Sequence, residues 1–208
     1  NTDAPASIDV ARIARAARDA EVLKRKAQAE AAAKAKSILD LTVLAKHEYL
    51  KAKGFPEDWG RVWIKDGENI LVIPMWIDGD MVGCQLIKQD GDKKFLYGQR
   101  TAGAEFCINN NGDHILCEGY ATALSIQKAM KGLKRPYTIH VCFSAGNMLE
   151  IAKFVRDPLV IADNDAMGVA TAKKIASRYW VGEAEEDFND TEQRLGTAGV
   201  AESLRGFI

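Results

Sequence analysis

The rhythm of apolar and polar positions changes twice along the chain. Residues 1–48 contain no aromatic residue and no glycine, and 14 of the first 45 residues are alanine, spaced by Lys, Arg, Glu and Gln. Such a composition favours helix at almost every position. Val10, Ile13, Ala14 and Ala17 fall at helical spacing and give a thin apolar stripe. The pattern predicts a long, weakly amphipathic helix over 7–36, which would serve as a linker, an oligomerisation arm or a packing helix. A second helix is predicted over 37–53, stopped by Gly54 with Pro56 beyond it.

From Gly60 the pattern shifts to strands. Asn69 to Ile77 and Met81 to Lys88 are apolar and rich in β-branched residues, and Asp78-Gly79-Asp80 between them is a hairpin signal. Short strands are predicted near 95–97 and 105–109, followed by a turn cluster at 109–113. A small antiparallel β-rich subdomain is therefore expected over roughly 54–112. From His114 strand and helix alternate. Strands are expected at 114–117, 137–143 and 159–162, and helices at 120–130, 148–155, 166–179 and 191–205. Repeated βα units imply a parallel sheet with helices on its faces.

Composition narrows the class. The 208 residues are 47% apolar and 27% charged, an ordinary globular balance. No apolar run approaches the length of a membrane span, and no secretory signal pattern is present. The net charge of −1 argues against binding nucleic acid by bulk charge. The acidic surplus is concentrated in 163–208. Cys84, Cys107, Cys117 and Cys142 form no C-x-x-C pair, and all but Cys107 sit in apolar runs. Those three read as buried, and all four as reduced thiols of a cytoplasmic protein. His47, His114 and His140 read as structural, and Trp59, Trp63 and Trp76 as core. The first residue is Asn, so the chain reads as a processed or excised piece of something longer.

Candidate chemistry gathers at strand ends, where working residues of parallel α/β sheets collect. Glu118-Gly119 follows one strand and Asp163-Asn164-Asp165 another, with Asp163 and Asp165 pointing the same way by alternation. Asp187-Phe188-Asn189-Asp190 precedes the last helix. Any one of these residues alone also reads as a helix cap. Converging carboxylates, however, repel one another unless a cation intervenes. An all-oxygen donor set favours Mg²⁺ or Mn²⁺, the usual metals of phosphoryl and nucleotidyl transfer.

These residues carry a resemblance. Glu118-Gly119-Tyr120-Ala121-Thr122-Ala123-Leu124-Ser125 is similar to the first motif of the Toprim domain, and Val160 to Asp165 followed by Gly168 is similar to its D-x-D motif. The segments 47–54, 70–76 and 93–100 resemble the region before Toprim in phage and plasmid primases, and Asp187 to Asp190 resembles the acidic motif that closes the primase fold. The resemblance covers about residues 40–208. It implies an α/β fold, α+β overall, in three parts: a helical arm or linker (1–36), a helix plus β-rich subdomain (37–112) and a Toprim sheet (113–208).

It further implies a DNA primase core that makes short RNA primers on a single-stranded DNA template from NTPs. Glu118, Asp163 and Asp165 would be catalytic and Asp187 a further Mg²⁺ or Mn²⁺ ligand. Lys94 and Arg100, with Lys51 and Lys53, would face nucleotide and template. Gly146 and Asn147, after the middle strand, could bring backbone amides to a phosphate. The sequence contains neither a zinc module nor a G-x-x-x-x-G-K-[ST] loop, so a replicative helicase or further domains are the expected partners, with no membrane. The alternatives are a metal-dependent Toprim nuclease and a non-catalytic nucleic-acid-binding or partner-docking module.

Overall fold

The alanine-rich stretch folds as one helix, α1 (Ala4–Asp40), of 37 residues. The computed structural model describes residues 4–175, 178–183 and 185–208. At the usual helical rise α1 is about 55 Å long. Ion pairs one turn apart, Arg25–Glu21 at 3.0 Å and Lys26–Glu30 at 4.0 Å, add local support. Residues 10–26, Val10 and Ile13 among them, are all exposed. The last turns dock, where Ala35 and Ile38 pack on Val72, Cys84 and Leu96.

The helix expected over 37–53 does not form. After Asp40 come β1 (Val43–Ala45) and the five-residue α2 (Glu48–Ala52). β1 pairs antiparallel with β2 (Gly60–Lys65), so ladder partners 15 to 19 positions away override the local helical pattern. His47 caps α2: its Nδ1 accepts from the Tyr49 N–H at 3.2 Å, and its Nε2 lies 3.1 Å from the Asn69 carbonyl oxygen. β3 (Glu68–Ile77), β4 (Asp80–Ile87) and β5 (Lys93–Phe95) complete a five-stranded antiparallel sheet in the order β1-β2-β3-β4-β5. The expected β3–β4 hairpin turns through Asp78 and Gly79, both at positive φ, 51° and 88°.

The second sheet contains β6 (Phe106–Asn109), β7 (Asp113–Cys117), β8 (Tyr137–Val141), β9 (Leu159–Ala162) and β10 (Tyr179–Val181), in the order β10-β9-β7-β8-β6. The first four of that order are parallel, and β6 runs antiparallel along the edge beside β8. The sheet is therefore mixed. The strand expected at 105–109 belongs to it rather than to the β-rich part. α3 (Tyr120–Gly132), α4 (Ala145–Ala152), α5 (Ala166–Ile175) and α6 (Phe188–Leu204) follow the strands. The helix expected over 166–179 is seen to Ile175. Residues 176–177 lie outside the described set, and Tyr179 already begins β10. α6 starts at Phe188, three residues before the expected Thr191, and kinks at Gly196 (φ 73°).

One face of the second sheet packs with α3, α6 and the first sheet. Leu71, Ile73 and Met75 of β3 share a core with Ile115, Ile139, Leu159, Ile126 and Phe188. The other face buries Leu116, Cys142 and Val160 under Met148, Ile151 and Ala172. The backbones of Trp76 and Glu105 bridge the two sheets, with N–O distances of 2.8 and 3.0 Å. Cys84, Cys117 and Cys142 are buried free thiols as expected, and Cys107 is exposed. Contrary to the expected core role, Trp59 is 63% and Trp76 36% exposed. No helix among the described residues is long and apolar enough to cross a membrane.

Candidate active site

A cleft of about 150 Å³ opens between the two sheets. Its acidic wall comes from the second sheet. Glu118 follows the last residue of β7, Asp163 the last residue of β9, and Asp187 precedes α6. Parallel pairing brings these ends to one edge, and the three side chains line the same cleft.

Burial, then Glu118, Asp187 and Asp165, push the Asp163 carboxyl up to about 6. Burial and Asp165 also raise Glu118, against a lowering hydrogen bond from the Ala145 backbone at the start of α4 and the pull of Lys93. Asp163 Oδ1 is buried without a hydrogen-bond partner, as is the Tyr49 hydroxyl; both residues line this cleft. An orphaned buried carboxylate oxygen among like charges is costly unless a ligand completes it. Three hard oxygen donors with such an orphan fit Mg²⁺ or Mn²⁺.

The D-x-D loop is held from behind. Gly168 lies so close that a Cβ there would come within 2.4 Å of the Asp163 carbonyl oxygen. Its N–H donates to Asp165 Oδ1 at 2.6 Å. Asp165 is exposed and is not among the residues lining the cleft. It bears on the site as a charge beside Glu118 and Asp163 and as a brace on Gly168.

Each residue of the Asp187–Asp190 tetrad has a separate task. Asp187 caps α6, accepting from the Asp190 N–H at 2.8 Å, while also facing the cleft. Phe188 is fully buried against Trp180, ring centroids 4.8 Å apart. The Asn189 amide donates to the Lys53 carbonyl oxygen at 2.8 Å and to Ser125 Oγ at 2.9 Å, tying α6 to α2 and α3. Asp190 closes the capping box and lies 3.5 Å from Lys53 Nζ.

The basic wall comes from the other half and differs from expectation. Lys53 lines the cleft; Lys51 points elsewhere and pairs with Glu48 at 3.3 Å. On β5 it is Lys93, not Lys94, that reaches the site. Much of the Lys93 side chain is exposed, yet its ammonium sits 5.6 Å from the centre of the Tyr49 ring. Partial burial and then Lys53 lower its pKa, opposed by Asp187, Asp163 and Glu118. Lys94 faces away and pairs with Asp92 at 3.0 Å. Arg100 lines a different cavity, its Nε donating to the Ala102 carbonyl oxygen at 3.3 Å.

The turn before α4 is also used differently. The Ala145 amide bonds Glu118, and Ser144 Oγ accepts from the Asn147 N–H at 3.1 Å. Asn147 is buried. Its amide donates to the Ala104 and Cys142 carbonyl oxygens, both at 2.7 Å, and accepts from the Gly103 N–H at 2.7 Å. That side chain clamps the fold and has no atom left for a phosphate. Gly146 is exposed, with open space where a Cβ would stand. Sequence reasoning missed Lys93 and Tyr49, and also Gln85 of β4, which lines the same cleft. The pair Lys93-Lys94 was a signal, since alternation sends one member inward, but nothing local says which.

No family model matches the chain. It is 28% identical over 129 residues to the DNA primase TraC of Escherichia coli, a match covering 56% of this chain and 12% of that protein. The chain thus spans a small fraction of its curated relative. Among solved structures it overlaps in part with the DnaG catalytic core (TM-score 0.43, 11% identity, 67% of this chain and 52% of the other). It also overlaps with a DNA primase domain from Pseudomonas aeruginosa (TM-score 0.38, 15% identity, 77% of this chain and 55% of the other).

Proposed function

We propose that this chain, similar in sequence to a DNA primase, is a Toprim-type primase core that joins nucleotides into short RNA primers on a single-stranded DNA template. The observation that carries the reading is the convergence of Glu118, Asp163 and Asp187, with a buried orphaned carboxylate oxygen, opposite Lys93 and Lys53 in one cleft. Glu118, Asp163 and Asp187 would hold Mg²⁺ or Mn²⁺. When bound there, the metal supplies activation of a primer 3′-hydroxyl and neutralisation of charge on the leaving pyrophosphate.

The protein's own groups do the rest. The Ala145 amide orients Glu118, and Gly168 lets the Asp163 backbone lie close against α5. Lys93 and Lys53 offer donors to the phosphates of an incoming NTP from the opposite wall. Tyr49 leaves a hydroxyl free for the bound nucleotide or its water. The arm at 1–36, the β-rich part at 37–112 and the sheet at 113–208 would act as three units. A replicative helicase or further domains of a longer chain, in the bacterial cytoplasm of a phage- or plasmid-bearing cell, would complete the machine.

The test is incorporation of labelled NTPs on single-stranded DNA with and without Mg²⁺ or Mn²⁺. Metal-dependent short RNA that falls at least 100-fold in Asp163→Ala and Glu118→Ala is expected; loss of metal-borne charge stabilisation of several kcal/mol sets that scale. Full synthesis by both variants would remove the site. Cutting of DNA in the absence of NTPs would assign the cleft to a nuclease instead.

A further inference from the structure

We propose a second metal site, for a zinc-class ion, made by Glu105, Cys107 and His140 on the β6–β8 edge, with His114 orienting His140. It shares no residue with the carboxylate cleft.

The backbone builds it. Cys107 stands directly opposite His140 in the β6–β8 register. Directly opposed side chains share a face, with Cβ atoms about 5 Å apart. Glu105 precedes Cys107 by two residues in an extended segment and so faces the same way. The two backbone hydrogen bonds to Trp76 hold Glu105 in place. A carboxylate oxygen, the thiol sulfur and an imidazole nitrogen all lie within 4.8 Å of one another. Zinc bonds of about 2.0–2.3 Å place ligand atoms of one tetrahedron about 3.5 Å apart, so the exposed Cys107 has to move in and the Glu105–His140 pair, now at 2.6 Å, has to open by about 1 Å to admit the ion.

His140 has the surroundings of a metal ligand. It is buried, and its Nδ1 lies 2.6 Å from Glu105 Oε2. Its other nitrogen, Nε2, lies 2.9 Å from His114 Nδ1, and the two rings stack 5.2 Å apart. A ligating imidazole commonly donates its second N–H to a fixed acceptor, which sets tautomer and orientation; His114 supplies that acceptor. Glu105, His114 and His140 also line a cavity of about 330 Å³ with Arg100 and Phe154, which would give a bound ion room for a water or ligand beside the protein donors. Sulfur and nitrogen donors favour zinc over magnesium, whereas the all-oxygen cleft favours the reverse. The two sites would therefore sort metals by chemistry.

The test titrates the whole chain with Zn²⁺ against a chromogenic chelator, in excess Mg²⁺ to occupy the carboxylates. One tightly held zinc per chain is expected, with affinity reduced about 100-fold by Cys107→Ser or His140→Gln and about tenfold by His114→Ala. Asp163→Asn should leave it unchanged. Replacement by Co²⁺ should give a thiolate-to-cobalt charge-transfer absorption that Cys107→Ser lacks. Cys107 is the one exposed thiol of the four, so bound zinc should also slow its alkylation in the unmutated protein, a readout free of any folding defect in the variants. Equal alkylation with and without zinc, or equal zinc affinity in Cys107→Ser, would overturn the proposal. These readouts are independent of primer synthesis.

Discussion

The two walls of the cleft are made in different ways. The acidic wall uses positions where strands end and helices begin, so Glu118, Asp163 and Asp187 are placed by topology alone. The basic wall uses side chains on the faces of a short strand and a short helix, Lys93 on β5 and Lys53 just after α2. A strand end has one possible location in a parallel sheet; a strand face has two, and a one-residue slip exchanges them. The acids are therefore robust to sequence drift around them, while Lys93 depends on register.

The sharpest way to break this contrast is to exchange neighbours on β5. Lys93→Ala is expected to lower kcat/KM for NTP incorporation roughly 30-fold, the loss of a charge-assisted hydrogen bond of about 2 kcal/mol. Lys94→Ala should change it less than about twofold, because its partner is an exposed Asp92. Equal effects in steady-state kinetics would mean that the register of β5 does not select the working lysine.

A smaller effect is expected behind the acidic wall. Gly168→Ala forces a Cβ against the Asp163 carbonyl oxygen, an overpacking that costs roughly 1–3 kcal/mol. Denaturant unfolding should show that loss, and a metal titration should show weaker Mg²⁺ binding. Unchanged Mg²⁺ affinity would separate the loop's packing from the placement of Asp163.

The smallest effect sharpens the electrostatics. The folded Asp163 carboxyl titrates at about 6, above its unfolded value of about 3.9. Above the folded value the charge is present in both states and penalises the fold; below about 3.9 it is absent from both. Asp163→Asn should therefore raise Tm by a few degrees at pH 7.5 without metal, with the gain fading as pH falls from about 6 to about 4. Mg²⁺ should raise Tm of the unmutated protein more than that of the variant. A gain that persists at pH 4 would locate its cause in packing rather than charge.

The same contrast explains what the sequence could tell. The βα half was readable because apolar strands ending in Glu118 or Asp163 state both the element and the position of the acid. The mixed character of the sheet was not, since β6 pairs with β8 about thirty residues away. The helix expected over 37–53 failed for a similar reason: β1 exists only because β2 is beside it. Asn147 looked like a phosphate-side turn residue, yet a turn amide and a buried clamp have the same local signature. The Glu105–Cys107–His140 group was invisible because cross-strand register is written nowhere in one strand alone.

Helix α1 also has a consequence for how the chain opens. Its residues 10–26 touch solvent on every side, while Ala35 and Ile38 are sealed under the first sheet. One continuous element therefore holds two stabilities. Amide protons in the outer stretch exchange through fraying, governed by alanine propensity and single-turn ion pairs, and are indifferent to denaturant well below the global transition. Those around Ala35 exchange only when the sheet beneath them lets go. The boundary between the two regimes falls inside a single helix, near residue 30, rather than at any loop.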